Sequence, residues 1–392
     1  MSQNIIQIIN GRILTSQGWL RGGSLLVEGT KILEVSKSEN TPESCNVTII
    51  DAQGGDIVPG AIEMHVHGGG GSDFMEGTIQ AFKTAINTHL MHGTTSIYPT
   101  LSSSSVPMIM EAIQTTETLM EDPLTPILGL HLEGPYFNKE QAGGQMPEYI
   151  TPPIKDDYEM IINSTQCLKR WDEAPELRGS EAFGRYCVNH GILPAIAHTK
   201  AEYMDVSNAF EAGFTHATHF YNAMTGFHKV REYKHEGTVE SIYAIPDMTV
   251  EVIFDGIHVP PVILKMIYMI KGVEKTALIT DALACTDCDN PQAFDPRVII
   301  EDGVCKLSDR SALAGSVATS DRLIKVAVEK AGIPLADAIR MSAETPARIM
   351  GEDHHVGIIR KGYDANIVIY DRNLNLLFVM QKGTIVRNDI RS

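Results

Sequence analysis

The 392-residue chain has no apolar run near the ~18 residues that a membrane-spanning helix requires. Its opening stretch, MSQNIIQIINGRILTSQGW, holds no basic segment followed by a long apolar one, so it does not read as a secretion signal. Cysteine is scarce: six residues, at positions 45, 167, 187, 285, 288 and 305. That scatter is no disulfide framework, and the expectation is a cytoplasmic protein with reduced thiols. Basic charge is also short, with 32 Lys and Arg against 49 Asp and Glu and a net charge of −17. Such a field repels phosphate and argues against a general binder of nucleic acid or anionic membrane. An anionic substrate would need a local basic pocket. Repeats, low-complexity tracts and flexible linkers are missing too. What remains, 43% hydrophobic and 21% charged residues, is a globular balance that excludes disorder.

Periodicity divides the chain. Up to residue 58 it reads as short strands, at Ile5–Ile9, Ser24–Val27, Lys31–Val35 and Val47–Ile50, with Asn10-Gly11 as a hairpin signal. From Pro59 short apolar runs alternate with helical stretches, the pattern of a parallel sheet with crossover helices. The runs are Ala61–Met64, Thr94–Tyr98, Pro126–Leu130, Cys167–Trp171, Ile192–Ile196, Phe214–Ala217, Thr249–Phe254 and Thr276–Ile279. Lys169 and Arg170 interrupt the fourth. Beyond Thr345-Pro346 strand-like runs return at Ala365–Tyr370, Leu374–Met380 and Gly383–Arg387. The expected fold is α/β: a TIM-like (β/α)8 barrel over residues 59–349, with a small β-sandwich in which residues 1–58 and 350–392 meet.

In such barrels the chemistry sits at the C-terminal strand ends. His65-Val66-His67 follows the first run and His131-Leu132-Glu133-Gly134-Pro135 the third. His198 follows the fifth, Thr218-His219 the sixth, Asp255-Gly256-Ile257-His258 the seventh, and Thr280-Asp281 the eighth. Residues i and i+2 of a strand share a face, so His65 and His67 can reach one ion. Imidazole and carboxylate are usual ligands of catalytic zinc and related ions, and their convergence predicts a metal centre. His131 and His216 are expected to face the core or to support ligands from behind. Cys285-Thr-Asp-Cys288 is a single CxxC with no second pair to complete a zinc site. The densest basic cluster, FHKVREYKH at 227–235, lies just beyond Asn222-Ala223 and could hold an anion or be a solvated loop.

These motifs carry a resemblance. PGAIEMHVHG at 59–68, with KGYDANIVIYD at 361–371, resembles the amidohydrolase superfamily. HLEGPYFN at 131–138, AHTKA at 197–201, ATHFYNAM at 217–224, FDGIHV at 254–259, LITDA at 278–282 and LAGS at 313–316 narrow it. In that order, over nearly the whole chain, they are similar to the N-acetylglucosamine-6-phosphate deacetylase family. The resemblance implies hydrolysis of the acetyl amide of N-acetylglucosamine 6-phosphate, in aminosugar catabolism or cell-wall recycling.

By the same resemblance, Glu133, His198 and His219 correspond to the main metal ligands, and His65 and His67 to the pair that supports a second ion. One or two divalent ions are implied, zinc first, with iron, manganese, cobalt or nickel as alternatives. Asp281 corresponds to the catalytic acid/base, and His258 and the Asn222-Ala223 backbone to contacts with the sugar and its phosphate. Arg231, with Lys229 and Lys234 as competitors, corresponds to an arginine that enters the neighbouring subunit's site, which implies a homodimer. Gln145 stands where many members place a sugar-contacting histidine, and Glu63 where an aspartate often precedes the H-x-H pair. Three rival readings remain: a related substrate such as N-acetylgalactosamine 6-phosphate, another cyclic-amide amidohydrolase, and a non-catalytic barrel scaffold. The second would carry a bridging lysine after the fourth strand, where only Lys169 and Arg170 occur; the third would show gaps in the ligand set.

Overall fold

The computed structural model describes residues 5–37, 47–289 and 293–390. Cys45 and the first four residues of the N-terminal reading lie outside them. The chain divides into two compact units, Met1–Glu63 with Asn87–Ser96 and Thr319–Ser392, and Met64–Ile86 with Ile97–Ala318.

Both chain ends build one eight-stranded sheet. Its order is Thr384–Asn388, Leu376–Gln381, Ile367–Tyr370, Asp56–Pro59, Ile5–Thr15, Gly18–Glu28 and Lys31–Ser36, with Val47–Asp51 also beside Ile5–Thr15. The sheet folds back on itself: Ile32 N–H donates to the Tyr363 carbonyl and Ala365 N–H to the Thr30 carbonyl. The two layers enclose one apolar core, in which Ile8, Ile13, Leu25 and Ile57 meet Ile367 and Phe378. Asn10-Gly11 is not the expected turn. The strand runs on to Thr15, the hairpin closes at Thr15 and Gly18, and the register shifts at Gly11. Asn10 takes φ 56°, and a Cβ on Gly11 would stand 2.7 Å from Ile57 Cδ1. A left-handed residue and a bare backbone thus make a bulge that lets the neighbouring strand pack close.

The second sheet is parallel and follows chain order: Ala61–Val66, Thr94–Leu101, Leu130–Glu133, Leu168–Glu173, Leu193–Ile196, His216–Ala217, Thr249–Ile253 and Thr276–Ile279. It is a nearly closed barrel, since Asp281 N–H, just past the last strand, donates to the His65 carbonyl of the first at 3.0 Å. Helices Ile79–Met91, Val106–Met120, Lys155–Ser164, Ser180–Asn189, Tyr203–Glu211, Thr238–Ala244 and Pro261–Lys271 occupy its crossovers.

Of the eight strands only Thr276–Ile279 keeps the bounds of its sequence run, and two of the differences bear on the site. The third starts at Leu130 and ends on Glu133, because the Pro126 segment makes only isolated bonds with Ile97. The fourth is not broken by its charges. Alternation sends Arg170 and Asp172 into the barrel and turns Trp171 outward against Phe183, at 5.3 Å between rings. The sequence reading also missed helix Thr238–Ala244 and three small hairpins, Gly68–Gly69 with Ser72–Asp73, His228–Val230 with Tyr233–His235 and Val298–Glu301 with Val304–Leu307. Among the described residues no helix is long and apolar enough to cross a membrane.

Candidate metal centre and active site

Six of the residues singled out in the sequence meet at the strand ends. Glu133 Oε1 is 3.0 Å from both His198 Nε2 and His219 Nε2, and those two nitrogens are 3.1 Å apart. On the other side Glu133 Oε2 is 3.2 Å from His67 Nε2, which is 3.2 Å from His65 Nε2. Asp281 Oδ1 completes that side, 3.2 Å from His67 Nε2 and 3.6 Å from His65 Nε2. One carboxylate therefore faces two histidine pairs. Donor atoms around a tetrahedral ion at about 2.0–2.1 Å stand about 3.3 Å apart, so each triad has the spacing of a ligand set. All six side chains are buried.

The histidines are aimed by what their other nitrogens touch. His198 Nδ1 lies 2.8 Å from the Gln141 carbonyl and His219 Nδ1 3.1 Å from the Asn222 carbonyl. His65 Nδ1 lies 2.8 Å from Glu251 Oε1, and His67 Nδ1 3.2 Å from Ser102 Oγ. A donor role at Nδ1 leaves Nε2 bare toward the centre, which is the form a metal requires. The backbone is strained where it delivers these groups: His198, His219, Ala223 and Asp281 take φ of 46°, 26°, 50° and 49°. Such φ values are uncommon for non-glycine residues, although aspartate and histidine adopt them more readily than most. Gly134, just after Glu133, has φ 90°. A Cβ on it would stand 2.4 Å from Ser103 Oγ, so the tight exit from the third strand needs glycine.

Charge is stored in the cluster. Burial would raise the Glu133 carboxyl, but His65, His198 and His219 outweigh it and hold it well below the usual range. Burial likewise disfavours a charged His67, yet Asp281 and Glu133 lift it to about 9. The positive charge that His65 and His67 carry beside these carboxylates is what a divalent cation would replace.

The centre forms the floor of a cleft of 660 Å³, a size suited to a small phosphorylated sugar. Asn222, Ala223, His258 and Gln145 line it with the metal candidates. His258 Nδ1 is 2.8 Å from Asp255 Oδ2, while its buried Nε2 has no hydrogen-bond partner among the described residues. Gln145 donates from Nε2 to Glu133 Oε2 at 2.6 Å and accepts from Ser103 N–H at 2.7 Å. Arg231 is not brought to this cleft. It sits exposed at the tip of the His228–His235 hairpin with φ 54°.

The amidohydrolase family model matches residues 57–386, most of the chain. The chain belongs to the amidohydrolase family. A relative of this amidohydrolase, the N-acetylglucosamine-6-phosphate deacetylase of Haemophilus influenzae, is 30% identical over 391 residues, covering 97% of each chain. The N-acetylgalactosamine-6-phosphate deacetylase of Escherichia coli O157:H7 is 28% identical, covering 95% of this chain and 97% of its own. The crystal structure of N-acetylglucosamine-6-phosphate deacetylase from Pasteurella multocida superposes with a TM-score of 0.92 at 29% identity, over 98% of this chain and all of that one. Membership in this family, together with the groups formed by Glu133, His198 and His219 and by His65, His67 and Glu133, supports a divalent metal.

The sequence reading passed over several residues of the amidohydrolase site. Asp73 lines the cleft, and burial pushes its carboxyl up to about 6. Its only signal was its place after the glycine run that follows His67. Arg170, Asp172 and Glu251 lie wholly buried beneath the centre. Their signal was charge inside barrel strands, which reads as an interruption until the strand is known to be buried. His131 and His216 are buried below the cluster, His131 against Asp172 and His216 against Glu251. The Cys285 thiol lies 3.1 Å from Cys305 Sγ, and the five described cysteines are free.

Proposed function

We propose that this amidohydrolase is a divalent-metal-dependent deacetylase that converts N-acetylglucosamine 6-phosphate to glucosamine 6-phosphate and acetate, within aminosugar catabolism or cell-wall recycling. The observation that carries the reading is the shared carboxylate, Glu133, between two histidine pairs and beside Asp281. Full-length similarity to deacetylases of this name supports the substrate. Glu133, His198 and His219 would hold the principal ion, and His65 and His67 with Glu133 a second. Nitrogen and carboxylate donors without thiolate suit zinc first, and also iron, manganese, cobalt or nickel.

A divalent ion held by these residues would supply Lewis acidity, polarising the amide carbonyl and lowering the pKa of a water toward about 7. Asp281 Oδ1 accepts the proton of the attacking water and returns it to the sugar nitrogen as the C–N bond breaks, releasing acetate and a free amine. His258, anchored on Asp255, turns Nε2 to the sugar or its phosphate. Asn222 and the Ala223 backbone add polar contacts, and Gln145 frames the bound sugar beside Glu133. Among the described residues no lysine or arginine lines the cleft, so a phosphate there needs a cation from elsewhere. We infer a cytoplasmic homodimer in which one copy's Arg231, with Lys229 and Lys234 as competing choices, serves the other's cleft. Phe227, Val230 and Tyr233, all exposed, give that hairpin an apolar surface to bury.

The test is acetate release from N-acetylglucosamine 6-phosphate, its galacto epimer and unphosphorylated N-acetylglucosamine, each with the metal-loaded protein. The expected order of kcat/KM places the first highest and the last lowest. The similarity to an N-acetylgalactosamine-6-phosphate deacetylase makes the epimer the second reading. A higher kcat/KM on it would move the assignment there, and no acetate from any of the three would overturn it.

A further inference from the structure

We propose that Glu251 is a positioning residue of this metal centre, which fixes the tautomer and ring direction of His65 and so builds the half of the site that holds the second ion. The inference deepens the metal-centre reading and rests on it.

Glu251 lies in the seventh barrel strand with its side chain inside the barrel, wholly buried. Its Oε1 is 2.8 Å from His65 Nδ1. A nitrogen that faces a carboxylate carries the proton, so the His65 lone pair belongs to Nε2. That atom faces His67 Nε2 at 3.2 Å, Asp281 Oδ1 at 3.6 Å and Glu133 Oε1 at 3.7 Å. A ring with the opposite tautomer would put a proton where the ion must bind.

The carboxylate is itself held in place. Arg170 donates to it from two nitrogens, Nη1 to Oε2 and Nη2 to Oε1, the latter at 2.7 Å. His216 Nε2 stands 3.4 Å from Oε2, and His219 N–H points at Oε1 from 3.5 Å. Arg170 is anchored in turn by Thr218 Oγ1 at 2.8 Å and by Asp172 Oδ1 at 3.0 Å. Asp172 Oδ1 meets His131 Nε2 at 3.0 Å, and His131 Nδ1 meets Thr100 Oγ1 at 3.0 Å. Thr100 Oγ1 accepts from Val66 N–H at 3.0 Å. The contacts form a ring inside the barrel that starts at His65 and closes on Val66, the residue between the two histidines.

Two features separate this role from plain stability. A buried Arg–carboxylate set pays a desolvation cost that apolar residues of similar volume avoid, so its presence is weak evidence for stabilisation. The support is also selective. His198 and His219 rest on backbone carbonyls, while among the four histidine ligands only His65 has its Nδ1 on a carboxylate.

The experiment is stepwise zinc titration of the stripped protein, comparing wild type with Glu251→Gln, His65→Gln and the double variant, with thermal unfolding of each. Gln at 251 keeps the shape but turns one of the two acceptor oxygens into an NH2, which must face either Arg170 Nη1 or the pair His65 Nδ1 and Arg170 Nη2. The wild type is expected to bind two ions, and Glu251→Gln to weaken only the second, by about 10–100-fold. Adding Glu251→Gln to His65→Gln is expected to change ion binding no further, because the effect passes through His65. Wild-type affinity for both ions in Glu251→Gln, or equal weakening of both, would overturn the proposal. So would a wild type that binds one ion with no response to His65→Gln; one that binds none would overturn the metal-centre reading instead. If Glu251→Gln does not fold, histidine 15N NMR of the zinc-loaded wild type decides. The expected signature is a proton on His65 Nδ1 with Nε2 bare, and a bare Nδ1 would refute the assignment.

Discussion

Replacing Asp281 with asparagine isolates proton transfer from the rest of the site. The backbone at 281 is pinned on both sides: its N–H donates to the His65 carbonyl at 3.0 Å, and its carbonyl accepts from Ser316 N–H at 2.7 Å. Its φ of 49° is one that asparagine adopts as readily as aspartate. The variant should therefore keep the fold and the cleft. What it loses is an oxygen able to take a proton, and the negative charge 3.2 Å from His67 Nε2. Loss of a general acid/base lowers turnover by about 10²–10⁴-fold. At about 1.36 kcal/mol per tenfold, that adds about 2.7–5.5 kcal/mol to the barrier. Because the proton moves only as the bond changes, the loss belongs in kcat, with KM nearly unchanged. The lost charge also weakens the ion beside His65 and His67, so acetate release and metal content must be read on the same samples at saturating ion. A fully loaded variant with kcat within about tenfold of wild type would refute the role.

Three further outcomes follow from particular contacts. Arg231→Ala is expected to lower kcat/KM on the phosphorylated sugar by about 10–150-fold, since a charge-assisted contact contributes about 1.5–3 kcal/mol, and to spare the unphosphorylated sugar. Equal losses on both would reduce Arg231 to shaping its hairpin. His67, lifted to about 9, holds its proton at neutral pH and must release it to bind an ion. Zinc uptake should therefore expel protons, and calorimetric affinity should rise by up to about tenfold per pH unit per proton and level off above about pH 9; a flat profile from pH 6 to 9 contradicts this. Glu173 is wholly buried, and burial pushes its carboxyl well above the usual range despite the nearby Ser180 hydroxyl. The folded state keeps that proton while the unfolded chain gives it up, so stability falls by about 1.4 kcal/mol per pH unit as pH rises from about 4.5 toward the raised folded value. Glu173→Gln should then gain in urea midpoint over wild type at pH 8 and not at pH 5, and an equal difference at both would refute the cause.

The site was legible because its residues obey strand-end logic. His65, His67, Glu133, His198, His219 and Asp281 each follow or close an apolar run, and a barrel brings such ends together. The floor beneath them was not. In Thr249–Ile253 the alternation around Glu251 looks like a strand with one solvated face, and Lys169-Arg170 looks like a break. Only the assembled barrel shows that Arg170, Asp172 and Glu251 are inside and must satisfy one another, since a lone buried charge is too costly to keep. Asn10-Gly11 misled for a similar reason: the same left-handed backbone serves a turn or a bulge, and packing against Ile57 decides which. The end of the third strand was placed too early because the apolar run stops at Leu130, before His131, while the ladder continues through Glu133.

The central claim is that the Glu133-centred cluster binds a divalent ion and that the ion is required for deacetylation. The direct measurement strips the protein with a chelator, then follows metal content and acetate release from N-acetylglucosamine 6-phosphate as zinc is restored. The account predicts no turnover in the stripped protein and recovery in proportion to the ion bound, absent in His198→Ala. Full turnover in protein shown to be metal-free, or a restored ion that brings no acetate release, would contradict it.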